Sequence, residues 1–137
     1  IFSFDLNNLK KINDNMGHTY GDDLISGFAR ILKETFEKEA VVGRMGGDEF
    51  IVIIRSDDGR IDYETFRKKL QHVIDEYNHK ESRFKYSVAC GYADSTEAGD
   101  NNGNVDARQI YSMADDRMYV HKRKIKEKIK QEKSHNE

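Results

Sequence analysis

Met45-Gly46-Gly47-Asp48-Glu49-Phe50 constrains this chain more than any other stretch, with two glycines and two carboxylates set between two apolar runs. Ala40 to Met45 and Phe50 to Ile54 both read as short buried strands, so the glycines fall where a tight hairpin needs positive φ. A turn without side chains lets a phosphate come close to its backbone. Asp48 and Glu49 stand at the mouth of the second strand, where their oxygens can hold a hard cation. The hexapeptide therefore suggests metal-assisted phosphate chemistry, and a plain turn is the other reading.

With 137 residues the chain supports one domain with a single core. No apolar run approaches the ~20 residues a bilayer span needs, and no signal-peptide pattern is present, so direct membrane insertion of this segment is not expected. The single cysteine, Cys90, excludes an internal disulfide and fits a reducing, cytoplasmic compartment. A membrane-anchored parent protein stays open. The formal charge of −2 gives no general pull toward nucleic acid. From Lys122 to Lys133 seven basic residues face only Glu127 and Glu132. This stretch reads as a solvated helix end or linker, with anionic lipid or RNA as the alternative contact. Residues 1–126 are read as the domain and 127–137 as a charged tail. Because the chain begins at Ile1 in mid-strand, it reads as a fragment.

Ile1 to Leu6 reads as a short apolar strand carrying Asp5 near its end. Leu9, Ile12 and Met16 follow at helical spacing until Gly17. A second helix is predicted from about Gly21 to Phe36, then the Gly-Gly hairpin, then a turn at 56–59. Tyr63, Phe66, Leu70, Val73, Ile74 and Tyr77 repeat at three and four, which marks an amphipathic helix. Phe84, Tyr86, Val88, Cys90 and Tyr92 alternate with small or polar residues, predicting a strand with one bulky and one small face. Asp94 to Asn104 reads as a mobile loop, and a last helix starts near Val105 and can run on into the polar tail. This order predicts one sheet with helices packed against it, an α/β or α+β domain. The central sheet should be mixed and largely antiparallel.

Asp5 ends one strand and Asp48 sits at the hairpin. If the two strands are neighbours, these carboxylates and Glu49 converge at one end of the sheet. Mg²⁺ favours such a site, taking a few carboxylates together with water and phosphate oxygens. Asn7 to Lys10 opens a helix, whose free N–H groups suit an anion. An Asn cap and a helix N-terminal Asp5 are the structural alternatives. Thr19-x-x-Asp22 also looks like a capping box. Cys90 reads as core, and His18, His72, His79, His121 and His135 show no metal-ligand spacing.

Five blocks, in order, resemble the GGDEF family, the diguanylate cyclases. They are Phe4 to Asp14, Gly17-His18-Thr19-Tyr20-Gly21-Asp22, the Gly46-Gly47-Asp48-Glu49-Phe50 signature, and the later pair Ser87 to Ala93 and Ala114 to Lys122. The resemblance implies a palm-like fold related to nucleotide-cyclase and polymerase catalytic domains. It implies condensation of two GTP into cyclic di-GMP by a homodimer, with Mg²⁺ or Mn²⁺ as cofactor and a sensory or regulatory domain preceding this one. Asp5, the Leu6 carbonyl, Asp48 and Glu49 match the metal ligands. Asp48, Glu49 and Lys10 take the catalytic positions, Asp48 being favoured for activating the attacking hydroxyl. Asn8, Leu9, Lys10, Gly46, Gly47 and Lys122 match phosphate-binding positions, while Asn13 and Asp22 match the guanine readers.

Two departures stand out. Where the family shows Gly-Arg-Asn after the last helix, this chain reads Ile125-Lys126-Glu127, and Lys126 keeps charge without the forked geometry of Arg. This leaves open a weak or inactive domain that acts as a GTP-binding regulatory module. The Arg-x-x-Asp product-inhibition site is replaced by Glu37, Lys38, Glu39 and Ala40, so inhibition through it should be absent. The family's opening Asp-x-Leu-Thr segment is also missing.

Overall fold

A computed structural model gives the fold, and it describes residues 1–36, 40–57 and 60–137. Four strands and four helices follow one another in the predicted order: β1 (Phe2–Leu6), α1 (Leu9–Met16), α2 (His18–Thr35), β2 (Ala40–Gly46), β3 (Glu49–Ile54), α3 (Tyr63–Lys80), β4 (Val88–Tyr92) and α4 (Ala107–His135). The strands form one sheet in the order β2-β3-β1-β4, and each of these pairings is antiparallel. The predicted α+β palm-like sheet is therefore present, with no parallel pair among the described residues. Three members of the expected inhibition segment, Glu37, Lys38 and Glu39, lie outside the described residues, as do Asp58 and Gly59 of the predicted turn.

β1 is central and buried along its whole length. Phe2, Phe4 and Leu6 point into the main core with Phe50 and Val52 of β3, Leu24, Phe28, Ile31 and Leu32 of α2, and Leu70, Val73 and Ile74 of α3. Phe28 meets Phe50 edge-on at 5.0 Å, and Phe2 meets Phe36 in the same way at 4.9 Å. The alternate β1 residues, Ser3 and Asp5, face α4 instead, where Ser3 Oγ donates to Asp115 Oδ1 at 3.1 Å.

α4 covers β4 and β1 on that second face. The small-residue face of β4 makes this possible: Ala89, Gly91 and, just past the strand end, Ala93 are all buried. A Cβ on Gly91 would stand 1.9 Å from the Ala114 carbonyl oxygen and 2.3 Å from the Met118 nitrogen. β4 is an edge strand, and α4 covers its open polar groups. Arg117 Nη1 donates to the Tyr92 carbonyl at 2.7 Å, and the Cys90 N–H donates to His121 Nδ1 at 3.0 Å. Side chains one helical turn apart thereby blunt an edge that could otherwise pair with another chain.

Two boundaries differ from the sequence reading. α2 begins at His18, because Gly17 (φ 94°) ends α1 and starts α2 at once, so Thr19 and Asp22 lie inside the helix and form no capping box. β4 is shorter than the alternation suggested. Its ladder stops at Val88 opposite Leu6, and Asn78 of α3 takes both backbone groups of Tyr86, at 2.6 and 2.9 Å. α4 runs on to His135, so the charged segment from residue 127 is a helix end, one of the two readings its composition offered.

Candidate active site

β1 and β3 pair with Asp5 opposite Glu49, and the Leu6 N–H donates to the Asp48 carbonyl at 2.8 Å. The neighbouring-strand condition for convergence is met. The hairpin turns at Gly47-Asp48, with Gly46 at φ 144° and Gly47 at φ 50°, both open to glycine and strained for other residues. Nothing lies within 4 Å of where their Cβ atoms would be, so the approach to this backbone is clear.

Below the turn a cleft of about 480 Å³ opens at the end of β1. Asp5, Leu6, Asn8, Leu9, Lys10, Asp48, Lys122 and Lys126 all line it. Gly46, Gly47 and Glu49 border the hairpin outside this lining, and Asn13 and Asp22 lie beyond it on α1 and α2. The last two are still linked, because the Asn13 side chain packs directly onto Gly21, the neighbour of Asp22. Asn7, at the start of the predicted anion-binding segment, lines it too, and sequence reasoning overlooked Lys11, Asp14, Asn15, Ser87, Ile125 and Ile129, which complete the lining. Ile125 and Ile129 continue the stripe of Met118 and Lys122 at helical spacing, a signal that the dense charge of the tail obscured.

Asp5 is 3% exposed. Its Oδ2 accepts from Lys122 Nζ at 3.0 Å, while Oδ1 is buried with no hydrogen-bond partner. Burial raises its carboxyl above the ordinary aspartate range, and Asp48 pushes the same way, so that Lys122 and Lys126 only partly offset them. Burial likewise raises Glu49, reinforced by Asp115, Asp5 and Asp48. Burial pulls Lys122 down, but the hydrogen bond and charge of Asp5 and the charge of Asp48 leave it raised overall.

An unpartnered buried carboxylate oxygen beside a second carboxylate fits a divalent cation, which would meet a lone pair that nothing else uses. Among the described residues no group of three or more His, Cys, Asp and Glu side chains is gathered into a cage. Mg²⁺ takes few carboxylates, its other ligands being waters and phosphate oxygens. Asp5, Asp48 and the Leu6 carbonyl are the groups that would hold it, with Glu49 at the border.

The start of α1 is open to an anion. Asn8 adopts the left-handed conformation (φ 69°), and no side chain caps the helix. Asn7 is engaged elsewhere, donating to Ser87 Oγ at 3.0 Å. Lys10, Lys11 and Lys126 have no ion-pair partner among the described residues, unlike Lys122. Cys90 is half-buried, and burial pushes its thiol up to about 12, in keeping with a core role.

Residues 1–128 match the family described as diguanylate cyclase, GGDEF domain. The chain is 30% identical over 115 residues to the diguanylate cyclase DgcS of Shewanella oneidensis, covering 84% of this chain and 36% of that protein. It thus spans well under half the length of that relative. The GGDEF domain of YfiN (TpbB) from Pseudomonas aeruginosa superposes with a TM-score of 0.71 at 26% identity, over 90% of this chain and 70% of that one. The active GGEEF domain of a diguanylate cyclase from Vibrio cholerae gives 0.68 at 25% identity, over 90% and 75%. With this match over nearly the whole chain, the chain belongs to the GGDEF family of diguanylate cyclase domains.

Proposed function

We propose that two copies of this domain condense two molecules of GTP into cyclic di-GMP and pyrophosphate. One observation carries the reading: a buried carboxylate oxygen without a partner shares a cleft with three unpaired lysines and an uncapped helix start. That combination suits a triphosphate. The free N–H groups of α1 and the ammonium of Lys10 receive the terminal phosphates, beside the backbone of Asn8 and Leu9, and Lys126 adds charge from the opposite wall. Gly46 and Gly47 let the phosphate chain pass close to the hairpin. Asn13 and Asp22 read the guanine, the carboxylate accepting from its N1–H and exocyclic amine.

Asp48 accepts the proton of the 3′-hydroxyl presented by the nucleotide of the second copy. That oxygen bonds to the α-phosphorus as the bond to the β-phosphate oxygen breaks, and the exchange of roles closes the ring. A divalent ion, Mg²⁺ or Mn²⁺, supplies charge neutralisation at the reacting phosphate when bound. Glu49 assists at the edge of that site. Each copy holds half of the reacting atoms, so an isolated domain turns over slowly and dimerisation comes from a neighbouring sensory or regulatory domain. No helix among the described residues is long and apolar enough to cross a membrane, and a cytoplasmic location fits GTP as substrate.

Product does not bind tightly at residues 37–40, which lack the Arg and Asp of the inhibition pattern. Calorimetry that finds a stoichiometric, tight complex there contradicts this.

The domain fused to a dimerising coiled coil, given GTP and Mg²⁺, should release cyclic di-GMP detectable by chromatography, and Asp48→Ala should abolish it. GTP binding without product would instead support a regulatory module, the reading favoured by helix α4 continuing where the family shows Gly-Arg-Asn.

A further inference from the structure

Asp5 and Lys122 lie 117 positions apart and form a part-buried ion pair. A lysine on the carboxylate that should hold a cation has a physical consequence. Only one oxygen of Asp5 is compensated, and the other is left bare beside Asp48. The Lys122 side chain is 26% exposed against 4% for Asp5, so its head can leave without carrying the carboxylate along. Its stem stands on α4 one turn before Lys126, on the wall of the same cleft.

We infer that Lys122 is a place-holder in the cation site: its ammonium sits on Asp5 until a triphosphate draws it away, so the divalent ion enters with the nucleotide. The inference rests on the reading of Asp5 and Asp48 as cation ligands. A divalent ion on the bare Oδ1 and an ammonium on Oδ2 of the same carboxylate repel each other strongly. The ion therefore displaces Lys122, and the displaced ammonium needs a new anion. Phosphate oxygens in the cleft supply one. Nucleotide and cation then favour each other's binding through a single side chain, and linkage makes the effect reciprocal.

Mn²⁺ titration without nucleotide, read from the electron paramagnetic resonance of the free ion, tests this. Lys122→Met and Lys122→Gln should each tighten Mn²⁺ binding at least about ten-fold over the unaltered domain. Lys126→Met removes the same charge from the same cleft without the contact, and should tighten it about two-fold or less. Two replacements of different polarity, each checked by thermal unfolding, keep the result from depending on one variant's fold. Lys122 variants that bind Mn²⁺ no tighter, or Lys126→Met matching them, would overturn the place-holder while leaving the cation site standing. Asp5→Asn in the Lys122→Met background should abolish Mn²⁺ binding. Binding unaffected by that change overturns the cation site and the place-holder together.

Discussion

The backbone N–H of Leu6 donates to the carbonyl of Asp48 at 2.8 Å, tying the tip of the hairpin to the last residue of the central strand. One residue earlier, Asp5 pairs with Glu49 across β1 and β3. Main-chain bonds rather than flexible side chains thus bring these acidic residues to one end of the sheet. The like charges cost stability, which is usual for a functional site.

Gly91 decides how closely α4 approaches the sheet. A Cβ there would meet backbone atoms of Ala114 and Met118, which cannot swing aside. Gly91→Ala should destabilise the domain by about 3 kcal/mol in urea unfolding. By tilting α4, it should also weaken GTP binding through Lys122.

Gly21 presents the opposite case. Its would-be Cβ stands 1.8 Å from Asn13 Oδ1, the far end of a side chain that can rotate away. Alanine also favours the helix by roughly 1 kcal/mol. Gly21→Ala should therefore keep its fold by circular dichroism yet move Asn13. GTP affinity in calorimetry should fall about ten-fold, with any affinity for ATP unchanged.

Asn78 clasps the N–H and carbonyl of Tyr86, a residue 5% exposed and beyond the end of the β4 ladder. Asn78→Ala leaves both groups buried without partners, at a cost of about 2–3 kcal/mol. Hydrogen exchange at the Tyr86 amide should accelerate far more than at Phe4 in the sheet centre.

The raised carboxyl of Asp5, due first to burial and then to Asp48, has a definite sign. Its folded form binds a proton more tightly than its unfolded form, so ionised Asp5 costs stability at neutral pH and less as pH falls. Asp5→Asn removes that charge, while its amide oxygen can still accept from Lys122. The variant should melt about 2–4 °C higher than the unaltered domain near neutral pH without metal. The gap should close as pH drops from about 7 toward about 4. A gap that widens on acidification would contradict the assignment.

The helices were legible because their apolar stripes repeat locally, as with Phe66, Leu70, Val73 and Ile74 in α3. Gly46-Gly47 was legible because few residues tolerate their φ. The start of α2 was not, since Thr19 and Asp22 imitate a cap while Gly17 alone makes the break. That α4 runs on as a solvated helix end was open from the charged composition beyond residue 122, and Ile125 and Ile129 keep the stripe of Met118. The small face of β4 did announce a close neighbour, and that neighbour is α4.

Residue order alone determined where the chain turns, which faces are apolar, and that two carboxylates follow a glycine pair. Those properties depend on neighbours a few positions apart. Only the tertiary structure decided that β1 lies between β3 and β4, that Lys122 reaches Asp5, and that one oxygen of Asp5 has no partner. Strand pairing and ion pairing across 117 residues leave no local periodicity to read, because packing and register set them after the elements have formed.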